Sequence, residues 1–382
     1  MDIDWCCLSL QYWLWQVRSA RSCSCKGRSL RVRRCSTMHA LMVTGRNIMR
    51  ATIRIIIAAC AFAATHHAAA HPVTTYRGIC DASAGIDLGT GHFIVADDEH
   101  NALLIYQYGT PAHVGMVDLS KYLAAPDGKK KNKESDLEGA ARIGNRIYWI
   151  ASHGRDRHGN VEPARYRLFA TRIDRTEGVP GVVPIAAKPY TNLLTALAAD
   201  PRFDVLTRAS KLAPEAPGGL NIEGLADSED GALLIGFRNP LPNKQALVLK
   251  LRNPGDVVER GAAPVFDDLV RFDLSGRGIR SLERIGHQYV IVAGPHNDGD
   301  GKSIASRFAL YKWSGSPTDA PKFWTDVEPS DFHAEAIFEM QGRHQLYLLS
   351  DDGGERADHV DCGKKPFPSD AKTFRGMAFD YP

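Results

Sequence analysis

Several common signatures of catalysis and membrane insertion are missing from this sequence of 382 residues. Beyond residue 70 there is no G-x-S-x-G elbow, zinc-metalloprotease motif, P-loop or C-x-x-C pair, so ordinary nucleophilic hydrolase chemistry is unsupported. No apolar run approaches the roughly 20 residues that a transmembrane helix needs. The sequence therefore predicts no transmembrane segment.

An excess of basic charge is also missing once the first 70 residues are set aside. Those residues hold ten of the 47 Lys and Arg but only two of the 44 Asp and Glu. The remainder carries 37 basic and 42 acidic residues, a net charge of −5. Binding to nucleic acid thus loses its electrostatic support, and we expect no nucleic-acid partner.

The N-terminal residues have the features of a leader. Residues 1–48 hold five of the eight cysteines and show no period, which predicts a mis-assigned or disordered extension with the true start at Met49 or Met42. Residues 49–70 combine a basic start, a ten-residue apolar core at Ile55–Ala64 and an A-x-A site before His71, as in a secretory signal peptide. Residues 71–382 are then expected in the periplasm or outside the cell. Lipoprotein anchoring through Cys60 is the alternative, since Ile57–Cys60 resembles a lipoprotein box.

One pattern of short strands recurs five times between residues 84 and 380. Each copy has a strand, a tight turn, an apolar strand, a polar loop and another apolar strand, and the first strands start 54, 85, 57 and 55 residues apart. A period near 55 with about four strands is typical of a β-propeller. We predict an all-β fold of five blades, with six blades as the alternative, forming a single domain over residues 71–382 and a monomer.

Three details of this propeller follow from the sequence. The long interval holds apolar residues at helical spacing, which predicts a short helical insert near 190–213. Fourth strands are expected at His113–Val117, Val182–Ala186, Pro264–Asp268 and Lys322–Thr325. The fifth blade lacks one, so we expect the N-terminal strand Val73–Ile79 to close the ring.

Two cysteines fall within the predicted propeller. Cys80 follows the closing strand and Cys362 lies in the last blade, so we predict a disulfide bond between them and an oxidising compartment. Two unpaired thiols are the alternative.

Charged residues recur where the first strand of each blade begins, and these strands line the central channel. They are Asp136, Glu138, Glu223, Arg280 and Glu335. Crowded carboxylates raise one another's pKa unless a cation neutralises them, and such oxygen ligands suit Ca²⁺ or Mg²⁺. The alternative is that the glutamates pair with Arg280, Arg155 and Arg238 and tie the ring together.

The second strand of each blade ends on the same face in another set of polar residues. We select Asp97, Asp98 and Asp351 with Arg155, Arg238 and Arg280 as ligand-binding candidates, the arginines for a phosphate or carboxylate. His153 and His296 are candidates for acid–base catalysis. The loop Asn297–Gly301 resembles a calcium loop without the remaining spacing of an EF-hand.

These motifs carry a resemblance to known families. Asp136-Leu-Glu-Gly, Asn221-Ile-Glu-Gly and Phe237-Arg-Asn-Pro resemble an uncharacterised bacterial family classed as a domain of unknown function. The Glu-Gly blade openings are also similar to those of phytase-like or esterase-like propellers and of regucalcin and gluconolactonase, where the resemblance implies a glutamate on a central divalent metal. Glu138 and Glu223 match that element, Glu335 matches in part, and Arg280 replaces an acid.

Two functions remain open from the sequence. The first is a divalent-metal-dependent hydrolase of small anionic esters, a phosphoester or lactone, with Asp136, Glu138, Glu223 and Glu335 at the metal. The second is a non-catalytic periplasmic propeller that binds a ligand or a protein partner. Dense ionisable groups at the channel favour a small-molecule site, since protein-binding faces more often present exposed aromatic anchors.

Overall fold

Each predicted repeat folds into a four-stranded antiparallel sheet, and five such sheets form a ring, a five-bladed β-propeller. The computed structural model describes residues 72–124, 133–175, 178–297, 299, 302–353 and 366–381. The predicted extension, signal peptide and Cys60 lie outside these residues, as does Cys362. Cys80 itself is buried, and its pairing with Cys362 stays a prediction.

The strands follow one another around the ring in chain order. They are β1 (Val73–Gly78), β2 (Ala82–Gly89), β3 (His92–Asp97), β4 (Ala102–Gln107), β5 (His113–Asp118), β6 (Leu137–Ile143), β7 (Arg146–Ala151), β8 (Leu168–Asp174), β9 (Gly181–Pro184), β10 (Asn221–Asp227), β11 (Leu233–Asn239), β12 (Gln245–Leu251), β13 (Val270–Asp273), β14 (Gly278–Ile285), β15 (Gln288–Gly294), β16 (Ala309–Trp313), β17 (Lys322–Asp326), β18 (Ala334–Met340), β19 (Gln345–Ser350) and β20 (Ser369–Asp380). Blades one to four are β2–β5, β6–β9, β10–β13 and β14–β17.

The fifth blade closes the ring with both ends of the propeller. Its order is β18-β19-β20-β1, and Val73 of β1 lies opposite Met377 of β20. The first strands β2, β6, β10, β14 and β18 each contact the first strand of the next blade, and β18 contacts β2. The predicted closure by the N-terminal strand is confirmed, and it pairs an edge that would otherwise be open.

Helices lie only in connections among the described residues. They are Ser120–Leu123, Leu193–Ala198, Asp204–Ala209 and Pro254–Arg260, with 3₁₀ turns at Pro163–Arg165, Pro201–Phe203, Pro242–Lys244 and Ile304–Ser306. The predicted insert near 190–213 is confirmed, since two of these helices lie in it and bury Leu197, Phe203 and Leu206 against blades two and three. None of the helices in the described part is long and apolar enough to cross a membrane.

The fourth strand of the third blade differs from the prediction. It is Val270–Asp273, not Pro264–Asp268. Within the predicted segment Phe266 makes only an isolated bridge to Leu251. Pro264 has no N–H to give to a ladder, which disfavours strand pairing there.

The hydrophobic core lies between neighbouring blades. Phe93 of the first blade, for example, packs within 5.8 Å of the Phe338 ring of the fifth, and both are buried. Burying a side chain of this size stabilises by roughly 1.5–3 kcal/mol. These contacts hold the five sheets as one ring and fix the channel-facing residues in place.

Candidate functional site

All five channel-lining strands contain a one-residue irregularity at the same place. In each, the pairing with the second strand skips one residue, as where Leu137 pairs with Ala151 but Gly139 pairs with Ile150. The skipped residues are Ser83, Glu138, Glu223, Arg280 and Glu335. A β-bulge re-aims the side chain that it releases from the ladder. Four of the five bulged positions are the charged residues selected from the sequence.

The glycine after two of these glutamates permits close packing of neighbouring blades. A Cβ atom on Gly139 would lie 2.9 Å from Ile150 and Leu225, and one on Gly224 would lie 2.8 Å from Ile279. Real Cβ atoms do not approach other atoms so closely, so a larger residue would push the blades apart. The Glu-Gly motif thus combines a bulged acid with tight packing around the channel.

Three of the bulged residues form an ion-paired arc. Arg280 Nε lies 2.8 Å from Glu223 Oε2 and donates a 2.7 Å hydrogen bond to Glu335 Oε2. Glu223 Oε1 also accepts hydrogen bonds from Asn221 at 2.8 Å and Arg238 at 2.9 Å. Burial lowers the pKa of Arg280 to about 10, so its guanidinium stays charged at neutral pH. We call Glu223, Arg238, Arg280 and Glu335 the arginine-paired arc.

The fourth charged residue at a bulge, Glu138, has no arginine partner among the described residues. Glu138 is 9 % exposed, and no hydrogen bond or ion pair reaches its carboxylate from any described residue. Oxygen atoms of Asp98, Asp136 and Glu138 all lie within 4.8 Å of one another. Asp98 Oδ1 is buried without a hydrogen-bond partner. Together with Asp81, Asp97 and Asp351, these three residues form what we call the acidic arc.

Burial and mutual repulsion raise the pKa values in this arc. The pKa of Glu138 lies well above its ordinary range because of burial and then the neighbouring Glu223 and Asp136. Asp98 has a strongly raised pKa from burial and then Asp81 and Glu138. The pKa of Asp136 is raised by burial, against the opposing effect of Arg165, whose Nη1 lies 3.0 Å from Asp136 Oδ2. A cation would relieve this repulsion.

The arc extends to the junction that closes the ring. Asp81 precedes β2 and forms a bridge with Asp351, which follows β19. Burial and then the neighbouring Asp351 carboxyl raise the pKa of Asp81. Asp97 Oδ2 lies 2.8 Å from His100 Nδ1, and its Oδ1 accepts from the Glu99 N–H at 2.9 Å.

A large open cavity lies against Asp98, Asp136 and Glu138. Its volume is about 810 Å³, which is within the range of small-molecule sites. Its basic lining consists of His100, Lys133, Arg157, His158, Arg165 and Arg238. Five further acids line the same cavity, namely Glu99, Glu134, Asp156, Glu162 and Glu215. A cavity lined by both carboxylates and cationic groups suits a ligand that carries negative charge next to a bound cation.

The structure brings only some of the predicted site residues to this cavity. His153 is buried elsewhere, with Nδ1 2.8 Å from the Ala151 carbonyl oxygen, and burial lowers its pKa to about 4. Arg155 donates to the carbonyl oxygens of Ser210 at 2.9 Å and Gly159 at 3.0 Å, so it fastens the helical insert. His296 lines a separate cavity of about 310 Å³ beside Asn239. The predicted calcium loop falls partly outside the described residues.

Sequence reasoning missed two groups of the site. Arg165 stands on a 3₁₀ turn, outside the repeated strands, so no periodic signal marked it. Asp81 lies two residues before the bulged Ser83, as Asp136 does before Glu138, but the predicted first repeat began at residue 84 and so left Asp81 out. Aligning the five repeats on the bulge would have placed Ser83 with the charged residues and pointed to its acidic neighbour Asp81.

The match to a known family covers the middle of the propeller. Residues 182–341 match DUF3616, a protein family of unknown function. This DUF3616 match contains the whole arginine-paired arc, and the predicted resemblance to an uncharacterised family is confirmed. No curated protein matches the chain.

Solved structures resemble the DUF3616-matching chain in fold. Myxococcus xanthus glutaminyl cyclase has 12% identity over 81% of this chain and 95% of its own, with a TM-score of 0.39. The PQQ-bound aldose sugar dehydrogenase of Streptomyces coelicolor has 12% identity over 81% and 100%, with a TM-score of 0.36. The β-propeller domain of Myceliophthora thermophila Cps50 (Swd1) has 10% identity over 82% and 100%, with a TM-score of 0.36. The likeness is one of fold alone.

Proposed function

We propose that the protein is a divalent-cation-dependent hydrolase of small anionic esters, with the cation held by Asp98, Asp136 and Glu138. The observation that carries this proposal is the Glu138 carboxylate, which is nine-tenths buried, has no partner among the described residues and lines the cavity. Oxygen ligands of this kind suit Ca²⁺ or Mg²⁺. A bound divalent cation polarises an ester oxygen and lowers the pKa of water.

The protein's own groups account for selection of an anionic substrate. Arg165 and Arg238 line the cavity, and each already pairs with two acids, Asp136 and Glu134 for Arg165 and Glu223 and Glu215 for Arg238. Their remaining N–H groups point to a role in orienting a phosphate or carboxylate. Glu223 and Glu335, which the sequence offered as metal ligands, instead neutralise arginines, so the proposed cation site is smaller and lies nearer blades one and two.

Turnover of a panel of phosphoesters and lactones tests the proposal. We expect hydrolysis of at least one compound with millimolar calcium or magnesium, loss of that activity in EDTA, and a decrease of at least 100-fold in Glu138→Gln. Glu283→Gln is the matched control, because Glu283 is a half-buried carboxylate with a raised pKa that lines a different cavity. An equal rate in EDTA, or an unchanged rate in Glu138→Gln, would refute the proposal.

A non-catalytic ligand-binding propeller is the second candidate. One observation favours it: His153, selected as a proton carrier, does not line the cavity and is neutral at pH 7, since burial lowers its pKa to about 4. This alternative predicts calcium-dependent binding of an anion such as inorganic phosphate without turnover of any ester. Calorimetric titration with phosphate in the same buffers separates the two functions.

A further inference from the structure

A second group of acids adjoins the proposed cation site and shares a residue with it. Oxygen atoms of Asp81, Asp97 and Asp98 lie within 4.8 Å of one another, as do those of Asp98, Asp136 and Glu138. Asp98 belongs to both groups. A carboxylate has two oxygens and about four lone-pair positions, so one side chain has the capacity to serve two cations.

The second group is only partly neutralised, since His100 pairs with Asp97 at 2.8 Å while Asp81 and Asp98 have no cationic partner among the described residues. Asp98 Oδ1 is buried and accepts no hydrogen bond. Asp81 is 7 % exposed, and the residue that it bridges to is another acid, Asp351. Within the described residues, no lysine or arginine forms an ion pair with Asp81, Asp98 or Asp351. Burying several carboxylates without a cation is costly, which points to an ion from solution.

The backbone holds these carboxylates in place before any ion arrives. A Cβ atom on Gly353 would lie 1.4 Å from Asp81 Oδ1, so only glycine leaves room for that carboxylate. The Gly353 N–H donates a 2.7 Å hydrogen bond to Asp351 Oδ1. Asp97 is fixed by the Glu99 N–H and by His100. Carboxylates that are already fixed favour cation binding, because little conformational entropy is lost when the ion binds.

From this geometry we infer that the acidic arc binds two divalent cations bridged by Asp98. Asp98, Asp136 and Glu138 hold one cation, and Asp81, Asp97 and Asp98 hold the other. The inference rests on the proposed function for the first cation and adds the second. Two cations that share a ligand typically lie about 3.5–4 Å apart and clamp both the attacking and the leaving oxygen of a phosphoryl group. Between the two substrate classes proposed above, the pair favours a phosphoester over a lactone.

Counting bound calcium by native mass spectrometry and calorimetry on the full chain tests this inference. The wild-type protein should bind two ions. Glu138→Gln and Asp81→Asn should each bind one ion, and Glu283→Gln should still bind two. In Asp98→Asn the affinity for both ions should fall, because the variant removes the ligand that they share. Circular dichroism and thermal unfolding of each variant in EDTA show whether it is folded. If Asp81→Asn is not folded, Asp97→Asn replaces it, because Asp97 is the other ligand of the second cation alone.

The outcomes separate this inference from the proposed function. One ion in the wild-type protein, lost in Glu138→Gln but kept in Asp81→Asn, would overturn the second cation and leave the first. No bound ion at millimolar calcium would overturn both. A paramagnetic readout gives an independent check: with Mn²⁺ in place of calcium, a bridged pair has an exchange-coupled electron paramagnetic resonance spectrum, whereas isolated ions at two distant sites overturn the bridging role of Asp98.

Discussion

The arginine-paired arc and the acidic arc both include bulged residues of equivalent first strands, but their net charges differ. In the first, Arg280 lies between Glu223 and Glu335, and Arg238 adds a second positive charge, so two acids meet two arginines. In the second, Glu138 stands beside Asp98 and Asp136, and Arg165 is the arginine paired with these acids. One half of the ring is neutralised from within, and the other is left with excess negative charge.

This difference separates a structural role from a functional one. Buried ion pairs between blades hold the blades together, and their charges need no ligand to neutralise them. Acids without partners lower stability, and they persist in proteins mostly where a bound ion or a substrate uses them. We therefore propose that Glu223 and Glu335 hold the ring together and that Glu138 belongs to the cation site, although all three glutamates look alike in the sequence.

The largest effect is expected from opening the arginine-paired arc with Arg280→Met. The variant leaves Glu223 and Glu335 buried without their shared cation, and breaking a buried pair in this way costs roughly 3–5 kcal/mol. Urea unfolding at pH 7 in EDTA measures that loss. Because the variant makes this arc resemble the acidic one, millimolar calcium should restore part of the stability.

Arg202→Met is the matched control for that experiment. Arg202 also lies between two acids, Asp200 and Asp268, but on the exposed surface. Exposed pairs are screened by water and salt, so its removal should change stability little. Equal losses in the two variants would show that Arg280 does not hold the ring through its buried pairs.

An intermediate effect is expected from changing pH in the absence of metal. Folding raises the pKa of Asp98 and Glu138. The folded chain then binds protons more tightly than the unfolded chain, so this contribution to stability is complete below the unfolded pKa values near 4 and is lost as pH rises through the folded ones. In EDTA the free energy of unfolding should fall between pH 5 and 8, by at most about 1.4 kcal/mol per pH unit for each such group.

Calcium and Glu138→Gln should each flatten that dependence. A bound cation favours the charged carboxylates, and the glutamine has no proton to lose. Glu283, in a different cavity, has a pKa raised to about 8 by burial and contributes with the same sign. The informative quantity is therefore the difference between wild type and Glu138→Gln, and identical pH profiles would show that Glu138 is not a strained acid.

The sequence was sufficient for the ring but not for its division into two arcs. Repeated strands with Glu138, Glu223, Arg280 and Glu335 at equivalent places predict five blades and their convergence on one face, because the period fixes both. Which acid meets which arginine depends on neighbours in space. Arg280 is 55 residues from Glu335 and 57 from Glu223 in the chain, and nothing in the spacing states that its guanidinium reaches both.

The histidines show a second limit of sequence reasoning. His153 follows an apolar strand, as several of the selected acids do. Its backbone has φ 54°, however, and its imidazole contacts the Ala151 carbonyl oxygen instead of the cavity. Such a left-handed residue is uncommon outside glycine and depends on the surrounding fold. Arg165 lies in a connection between strands, where no periodic pattern marks it in the sequence.

The smallest effect is expected from Arg165→Met, which tests the comparison by changing the acidic arc. Arg165 competes with a cation for Asp136, to which it lies at 3.0 Å. Removing one positive charge near a divalent ion should favour binding by on the order of 1 kcal/mol, or about fivefold in the Kd for calcium. Calorimetry measures this, with Arg157→Met as the control, since Arg157 lines the same cavity and is exposed. If Arg165→Met weakens calcium binding instead, then Arg165 positions Asp136 for the cation and does not compete with it, and the acidic arc depends on its arginine as much as the other arc does.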